Sequence, residues 1–211
     1  MAPDHIVYIV DDDRRIRESL IALLSSCDMH AVAFGSAAEY LAYPKPDVPA
    51  CLILDVELPD LDGLELQSRI ADDHPPHIVF ITGHGHVPSS VRAIKAGAVD
   101  YLTKPFTEAD LMRAIDAALA QNRDAGRRRA GLDELHRRLS TLTPREREVL
   151  PLIVSGLLNK QAAAELGISE VTLQIHRGRL MRKMGAGSFA DLVRMAGAAD
   201  IPVVGPPSSR G

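Results

Sequence analysis

At 211 residues the chain is long for one domain and comfortable for two, and a composition 46% hydrophobic and 25% charged is that of a soluble globular protein. No window approaches the roughly 18 apolar residues of a membrane span, Met1-Ala2-Pro3-Asp4-His5 lacks the basic region and apolar core of a secretory signal, and the two cysteines, Cys27 and Cys51, make no disulfide framework and read as buried thiols in a reducing cytoplasm. The net charge of −4 is unevenly divided: residues 1–122 hold 9 Lys+Arg against 19 Asp+Glu, residues 123–211 hold 15 against 9, and a basic second half suits nucleic acid.

His5–Val10 is a β-branched run that predicts a strand and ends on Asp11-Asp12-Asp13. Ile16, Leu20, Leu23 and Leu24 recur at helical spacing, and Asp13 is placed to cap that helix. Residues 31–34 predict a short strand, followed by a helix around 37–41 and a loop over 44–49. Residues 51–55, Cys-Leu-Ile-Leu-Asp, predict a strand buried on both faces that stops on a carboxylate. Pro59, Asp60, Asp62 and Gly63 then turn the chain. A helix near 64–72, a strand over 78–82, a helix over 87–96, a strand over 99–102 ended by Lys104-Pro105, and an amphipathic helix over 108–121 complete the half. Strand and helix alternate five times, so the fold class is α/β, a doubly wound five-stranded parallel sheet.

In such a sheet the strand ends Asp11/Asp12, Asp55, Thr82 and Lys104 share one edge, where α/β sheets bind ligands. Three carboxylates packed together repel. A divalent cation relieves that, and hard oxygen ligands suit Mg²⁺, which also accepts phosphate oxygens. Asp55 is then a nucleophile for phosphoryl groups, Lys104 a cation for their oxygens, and Thr82 a hydroxyl that bonds the group once it is present. A lone Asp at a strand end is a turn former; the whole set on successive strand ends is not explained by turns. Thr82-Gly83-His84-Gly85-His86 offers too few ligands for zinc.

These residues resemble a response-regulator receiver domain of two-component signalling over residues 5–121. The matching pieces are Ile9-Val10-Asp11-Asp12, Leu54-Asp55 with Pro59 and Asp62-Gly63, Ile81-Thr82-Gly83, Lys95-Ala96-Gly97-Ala98 with Asp100-Tyr101, and Lys104-Pro105-Phe106. The resemblance implies that Asp55 accepts a phosphoryl group from a sensor histidine kinase. It implies that Asp12, Asp55 and the backbone carbonyl of Glu57 hold Mg²⁺ with Asp11 assisting. It makes Thr82 and Tyr101 a switch pair and the Lys104–Pro105 bond cis. Glu57 and His84, flanking the phosphoryl group, are expected to set the acylphosphate lifetime. The face between the fourth and fifth helices is expected to form a homodimer on phosphorylation.

Residues 122–140 form a charged helical linker in which Leu132, Leu135 and Leu139 keep helical spacing and Arg127-Arg128-Arg129 is a solvated face. Residues 141–198 read as a small all-α four-helix domain. Thr143, Pro144 and Glu146 make a capping box, Gly156 ends the first helix, and a second runs over 159–165. Ser169 caps a third over 170–184, and a fourth begins at Ser188 or Phe189. Two short helices joined by a Gly-containing turn are helix-turn-helix geometry. On the third helix Leu173, Arg177, Leu180 and Met184 share one side, and Val171, Gln174, Ile175, Gly178 and Arg182 the other. Gln174 suits adenine and Ile175 a thymine methyl. Gly178 lets the backbone come close, and Lys160, Arg179 and Lys183 suit phosphates.

The segment 140–196 resembles the LuxR-type output domain, and the whole chain a FixJ/NarL-family regulator. The matching residues are Leu142-Thr143-Pro144-Arg145-Glu146, Gly156, Asn159-Lys160, Leu166-Gly167-Ile168-Ser169, Thr172, His176-Arg177 and Lys183-Met184. Leu158, Ala162 and Leu173-Gln174-Ile175 depart from that pattern. The resemblance implies a DNA-binding transcription regulator with promoter DNA, and RNA polymerase besides, as partners. An Asp-nucleophile phosphotransferase or phosphatase, and an interaction adaptor without DNA binding, are the rival classes, and salt-dependent DNA binding separates them. Residues 199–211 read as a disordered tail.

Overall fold

A computed structural model describes residues 3–70, 75–83 and 87–202. The chain divides into two units, Met1–Arg127 and Arg128–Gly211. The first contains β1 (Ile6–Val10), α1 (Arg14–Ser26), β2 (Ala31–Phe34), α2 (Ala37–Ala42), β3 (Ala50–Asp55), α3 (Gly63–Arg69), β4 (His77–Thr82), α4 (Val87–Lys95) and β5 (Asp100–Thr103), and α5 (Glu108–Ser140) begins in it. The strands lie in the order β2-β1-β3-β4-β5, all parallel.

Side chains alternate across a strand, so the inner strands must be apolar at every position. Tyr8, Val10, Leu52, Leu54 and Phe80 pack with Tyr40 of α2, Leu66 of α3 and Ala93 of α4. The alternate residues Val7, Ile9, Cys51, Ile53, Val79 and Ile81 pack on the other face with Leu20 and Leu24 of α1 and Leu111, Ile115 and Ala118 of α5. Each such fully buried aliphatic side chain contributes about 2 kcal/mol. Burial pushes the Cys51 thiol well above its ordinary value, so it stays protonated and inert.

Two elements depart from the sequence reading. The helix expected over 64–72 closes at Arg69, where the Ile70 N–H bonds the Leu66 carbonyl. Residues 71–74 lie outside the described ones. The stretch read as a separate linker, 122–140, is the C-terminal part of one 33-residue helix, α5. Gly126 and Gly131 each cost about 1 kcal/mol of helix propensity. Helical ion pairs, Asp124 with Arg127 and Glu134 with Arg137 and Arg138, return a few tenths of a kcal/mol each.

Asn122 is a three-way junction at the N-terminal edge of the sheet. Its Oδ1 accepts the Ala50 N–H at 3.0 Å. Its Nδ2 donates to the Pro75 carbonyl at 2.9 Å and lies 3.0 Å from His77 Nδ1. An amide NH₂ only donates, so Nδ1 is the acceptor. The starts of β3 and β4 are thereby tied to α5.

The second unit holds α6 (Pro144–Val154), α7 (Asn159–Glu165), α8 (Glu170–Met184) and α9 (Phe189–Ala198). The predicted capping box forms: Thr143 Oγ1 accepts from Glu146 N, and Glu146 Oε2 accepts from Thr143 N. Ser169 and Ser188 cap α8 and α9. Gly185 ends α8 at φ 66°, where a side chain is strained and would overlap the Arg138 guanidinium. Leu135, Leu142, Val149, Leu150, Ile153, Leu173, Leu180, Met184 and Leu192 form the core. Ala199 and Ile201, placed in a disordered tail by composition, pack against that core. Residues 203–211 lie outside the described ones. Among the described residues no helix is long and apolar enough to cross a membrane.

Candidate functional site

Register brings the acidic residues together. Val10 pairs with Leu54, so Asp11 follows its strand beside Asp55; Asp55 pairs with Ile81; and Thr82 pairs with Thr103, one residue before Lys104. Ligand oxygens of Asp11, Asp12 and Asp55 lie within 4.8 Å of one another. Lys104 Nζ stands 2.7 Å from Asp11 Oδ2 and 2.7 Å from Asp55 Oδ2. The Lys104 N–H donates to the Thr82 carbonyl at 2.7 Å, which fixes the lysine backbone to the end of β4. The Lys104–Pro105 bond is cis.

The turn after Asp55 is wound tightly over its carboxylate. Glu57 N–H donates to Asp55 Oδ1 at 3.0 Å, and Gly63 N–H to the Val56 carbonyl at 2.9 Å. A Cβ on Gly63 would overlap the Asp55 carbonyl oxygen and press on Val56 Cα, so only glycine starts α3 here. Asp60, singled out only as a turn residue, caps α2: its carboxylate accepts from Ala37 and Ala38 N–H.

The electrostatics follow from burial. Asp11 is 0% exposed and its carboxyl is pushed up by desolvation, which outweighs the Lys104 ammonium and the Asp13 N–H. Burial also works against the charge of Lys104, but the two carboxylates outweigh it and hold the ammonium above its ordinary value. One cation therefore serves two of three carboxylates. The residual negative charge and the all-oxygen donor set fit a hard divalent cation such as Mg²⁺. Thr82 is buried, and the half-buried Tyr101 ring packs 6.1 Å from Phe80. Desolvation raises the Tyr101 phenol, with the Thr82 hydroxyl acting in the opposite sense. Glu57 is exposed beside Asp55, whereas His84 and His86 lie outside the described residues.

In the second unit α8 has the two faces read from its periodicity. Leu173, Leu180 and Met184 are buried. Arg177 turns its Nη1 to Asn159 Oδ1 at 3.1 Å and stacks 5.7 Å from the Phe189 ring, which resolves the guanidinium left on an apolar face. Gln174, Ile175, Gly178, Arg179 and Arg182 are exposed, as is Lys160 on α7. Thr172 is half-buried, its hydroxyl 2.8 Å from that of Ser169 in the N-cap. A Cβ on Gly178 would meet nothing within 4 Å, so packing inside the unit does not require glycine there.

The sequence reading places Lys183 among phosphate contacts; its half-buried side chain donates from Nζ to Glu146 Oε2 at 2.7 Å and to the Thr141 carbonyl at 2.9 Å. Glu146 is 2% exposed; burial pushes its carboxyl up, yet Lys183 and the Thr143 N–H outweigh that and hold it at about 2. Arg138 of α5 donates to the Met184 carbonyl at 2.8 Å, capping the same end of α8. The capping box signalled Glu146; nothing local signalled its partner 37 residues away.

Residues 7–116 match the model of the response regulator receiver domain, and residues 140–196 that of the bacterial regulatory proteins of the luxR family. A receiver joined to that helix-turn-helix defines a DNA-binding transcription regulator. The chain is 48% identical to Nodulation protein W of Bradyrhizobium diazoefficiens over 90% of this chain and 85% of that one. It is 41% identical to Transcriptional regulatory protein FixJ of Rhizobium meliloti over 92% and 95% of the two chains. The solved structure of response regulator StyR matches with a TM-score of 0.80 and 42% identity, over 92% of this chain and 98% of that one. The chain belongs to the FixJ/NarL family of two-component response regulators. Receivers of this family generally bind Mg²⁺ at an acidic pocket, and Asp11, Asp12 and Asp55 form such a cluster here.

Proposed function

We propose that Asp55 is the phosphoacceptor of a phosphorylation-controlled promoter-binding regulator. The observation that carries this is the Lys104 ammonium bridging Asp11 and Asp55 at the edge of a three-carboxylate cluster. A sensor histidine kinase is the donor. An Asp55 carboxylate oxygen bonds to phosphorus as the P–N bond to the kinase imidazole breaks. The electron pair stays on that nitrogen, which takes up a proton. Asp11, Asp12, Asp55 and the Glu57 carbonyl would hold Mg²⁺, which when bound draws charge from the phosphoryl oxygens. Lys104 then releases its hold on Asp55 and takes a phosphoryl oxygen. The Thr82 hydroxyl donates to another, and Tyr101 follows it. The receiver also catalyses its own dephosphorylation, and Glu57 and His84 set the acylphosphate lifetime.

The readout is a homodimer. Val91 and Ile94 on α4 are 46% and 47% exposed, an apolar pair suited to a second copy. Two helix-turn-helix units then bind promoter half-sites about 34 Å apart, and two linked contacts raise avidity. Gln174, Ile175, Gly178 and Arg182 meet DNA from the outer face of α8, with Thr172 at its start, and Lys160, Arg179 and Lys183 meet phosphates. RNA polymerase is the further partner, and the cytoplasm the compartment.

The test is phosphorylation with acetyl phosphate, read by intact mass, with promoter occupancy measured alongside for wild type and Asp55→Asn. Wild type is expected to gain one phosphoryl group in Mg²⁺ and none in EDTA, and to bind promoter DNA more tightly once phosphorylated. The variant is expected to do neither. Wild type that stays unmodified in Mg²⁺, or equal occupancy by both proteins, overturns the reading.

A further inference from the structure

Behind the acidic edge lies a cation that the phosphoryl chemistry above does not use. Arg17 is the fourth residue of α1, on the turn that follows Asp11, Asp12 and Asp13. Its Nη1 donates to the Asp11 carbonyl at 2.7 Å and to the Asp12 carbonyl at 2.9 Å. The guanidinium lies over Gly35, where an added Cβ would stand 3.5 Å from Nη1. The turn is fastened from other sides as well: Asp11 N–H donates to the Phe34 carbonyl at 3.3 Å, and Asp13 N–H to Asp11 Oδ1 at 2.8 Å.

Two successive carbonyls turned toward one nitrogen fix two successive peptide planes. Once those planes are fixed, so is the direction in which the Asp12 Cα–Cβ bond leaves the chain. Asp11 is also held by its carboxylate, through Lys104 and Asp13 N–H, whereas Asp12 is exposed and held through its backbone. We infer that Arg17 is a positioning residue for divalent-cation binding: by clamping the Asp11 and Asp12 carbonyls it pre-sets the direction of the Asp12 carboxylate. This rests on the reading of Asp11, Asp12 and Asp55 as the Mg²⁺ site. Partners that orient ligating side chains from behind are typically worth about 10–100-fold in metal affinity. An arginine suits the task because its planar guanidinium is preorganised and loses less freedom on bonding than a flexible lysine ammonium.

The test titrates the full chain with Mg²⁺ alone by calorimetry and measures initial rates of acetyl phosphate uptake against Mg²⁺ concentration. Arg17→Ala is expected to weaken Mg²⁺ binding about tenfold. The half-saturating Mg²⁺ in the rate profile shifts by the same factor while the plateau rate is kept. Arg17→Lys recovers part of the loss. Arg17→Gln keeps most of the side-chain stem and carries the test if Arg17→Ala does not fold by circular dichroism. A folded variant with wild-type Mg²⁺ affinity overturns the inference. So does a lowered plateau at unchanged half-saturation, which is general damage and not positioning. Wild type that binds no Mg²⁺ overturns the metal-site reading too, so the two failures are told apart.

Discussion

At the acidic edge of the sheet the working groups are buried and bonded to one another. Asp11 and Thr82 are 0% exposed, Asp55 is 6%, and one ammonium holds two carboxylates. On the outer face of α8, proposed to meet DNA, the side chains are bare: Val171 is 67% exposed and Ile175 50%. In the first region the groups hold one another, so one missing member disturbs the rest. The second gains its energy only on binding, so its residues can change with little effect on the fold. Preorganisation suits a reaction at one phosphorus atom; bareness suits a surface read along base pairs.

Lys104→Met tests the buried side of that contrast and carries the largest expected effect. It leaves Asp11 and Asp55 buried without their cation, and breaking such a pair costs about 3 kcal/mol. Urea unfolding in EDTA reads the loss, and added Mg²⁺ restores part of it because a second cation answers the same charges. An equally large loss in EDTA and in Mg²⁺ would mean the lysine acts through packing alone.

Glu146 is the exception on the helical side, a buried charge behind α8 with Lys183 as its partner. Its carboxyl sits at about 2 when folded against 4.5 when unfolded. A depressed pKa stabilises the fold fully above 4.5, and that contribution is lost as pH falls from there through about 2. Glu146→Gln should therefore cost about 2 kcal/mol at neutral pH, with the difference from wild type shrinking through that acid window. Parallel stability curves for the two proteins across the window would remove the ion pair as the cause.

Gly178→Ala has the smallest effect on the fold and splits the two regions most cleanly. With open space around the site, alanine should raise stability by roughly 1 kcal/mol through helix propensity. On the proposed reading, promoter affinity should fall in the same variant, because the added methyl would stand where DNA approaches. A variant that is more stable and binds DNA as before would show that Gly178 is not at the interface.

How much was legible in the sequence follows the same division. Strands that end on Asp11, Asp55, Thr82 and Lys104 are readable because a parallel sheet gathers its C-terminal ends, whatever the detailed packing. The faces of α8 are readable because 3.6-residue periodicity carries them. The Lys183–Glu146 pair is not legible because the partners stand 37 residues apart, nor is the Asn122 junction, whose partner Ala50 stands 72 residues earlier. Arg17 passed unnoticed for a third reason: its acceptors are backbone carbonyls, which no pattern of side chains reveals. The unbroken α5 was hidden by Gly126 and Gly131, whose local cost is small beside burial at Leu111, Ile115 and Leu135.

The junction at Asn122 has a mechanical meaning. Sliding α5 by a single residue along its axis moves it about 1.5 Å. That step would break the bonds to Ala50 and Pro75 and the contact with His77 together. Axial slippage against the sheet is therefore blocked. Asn122 fixes the axial position of α5 against the starts of β3 and β4.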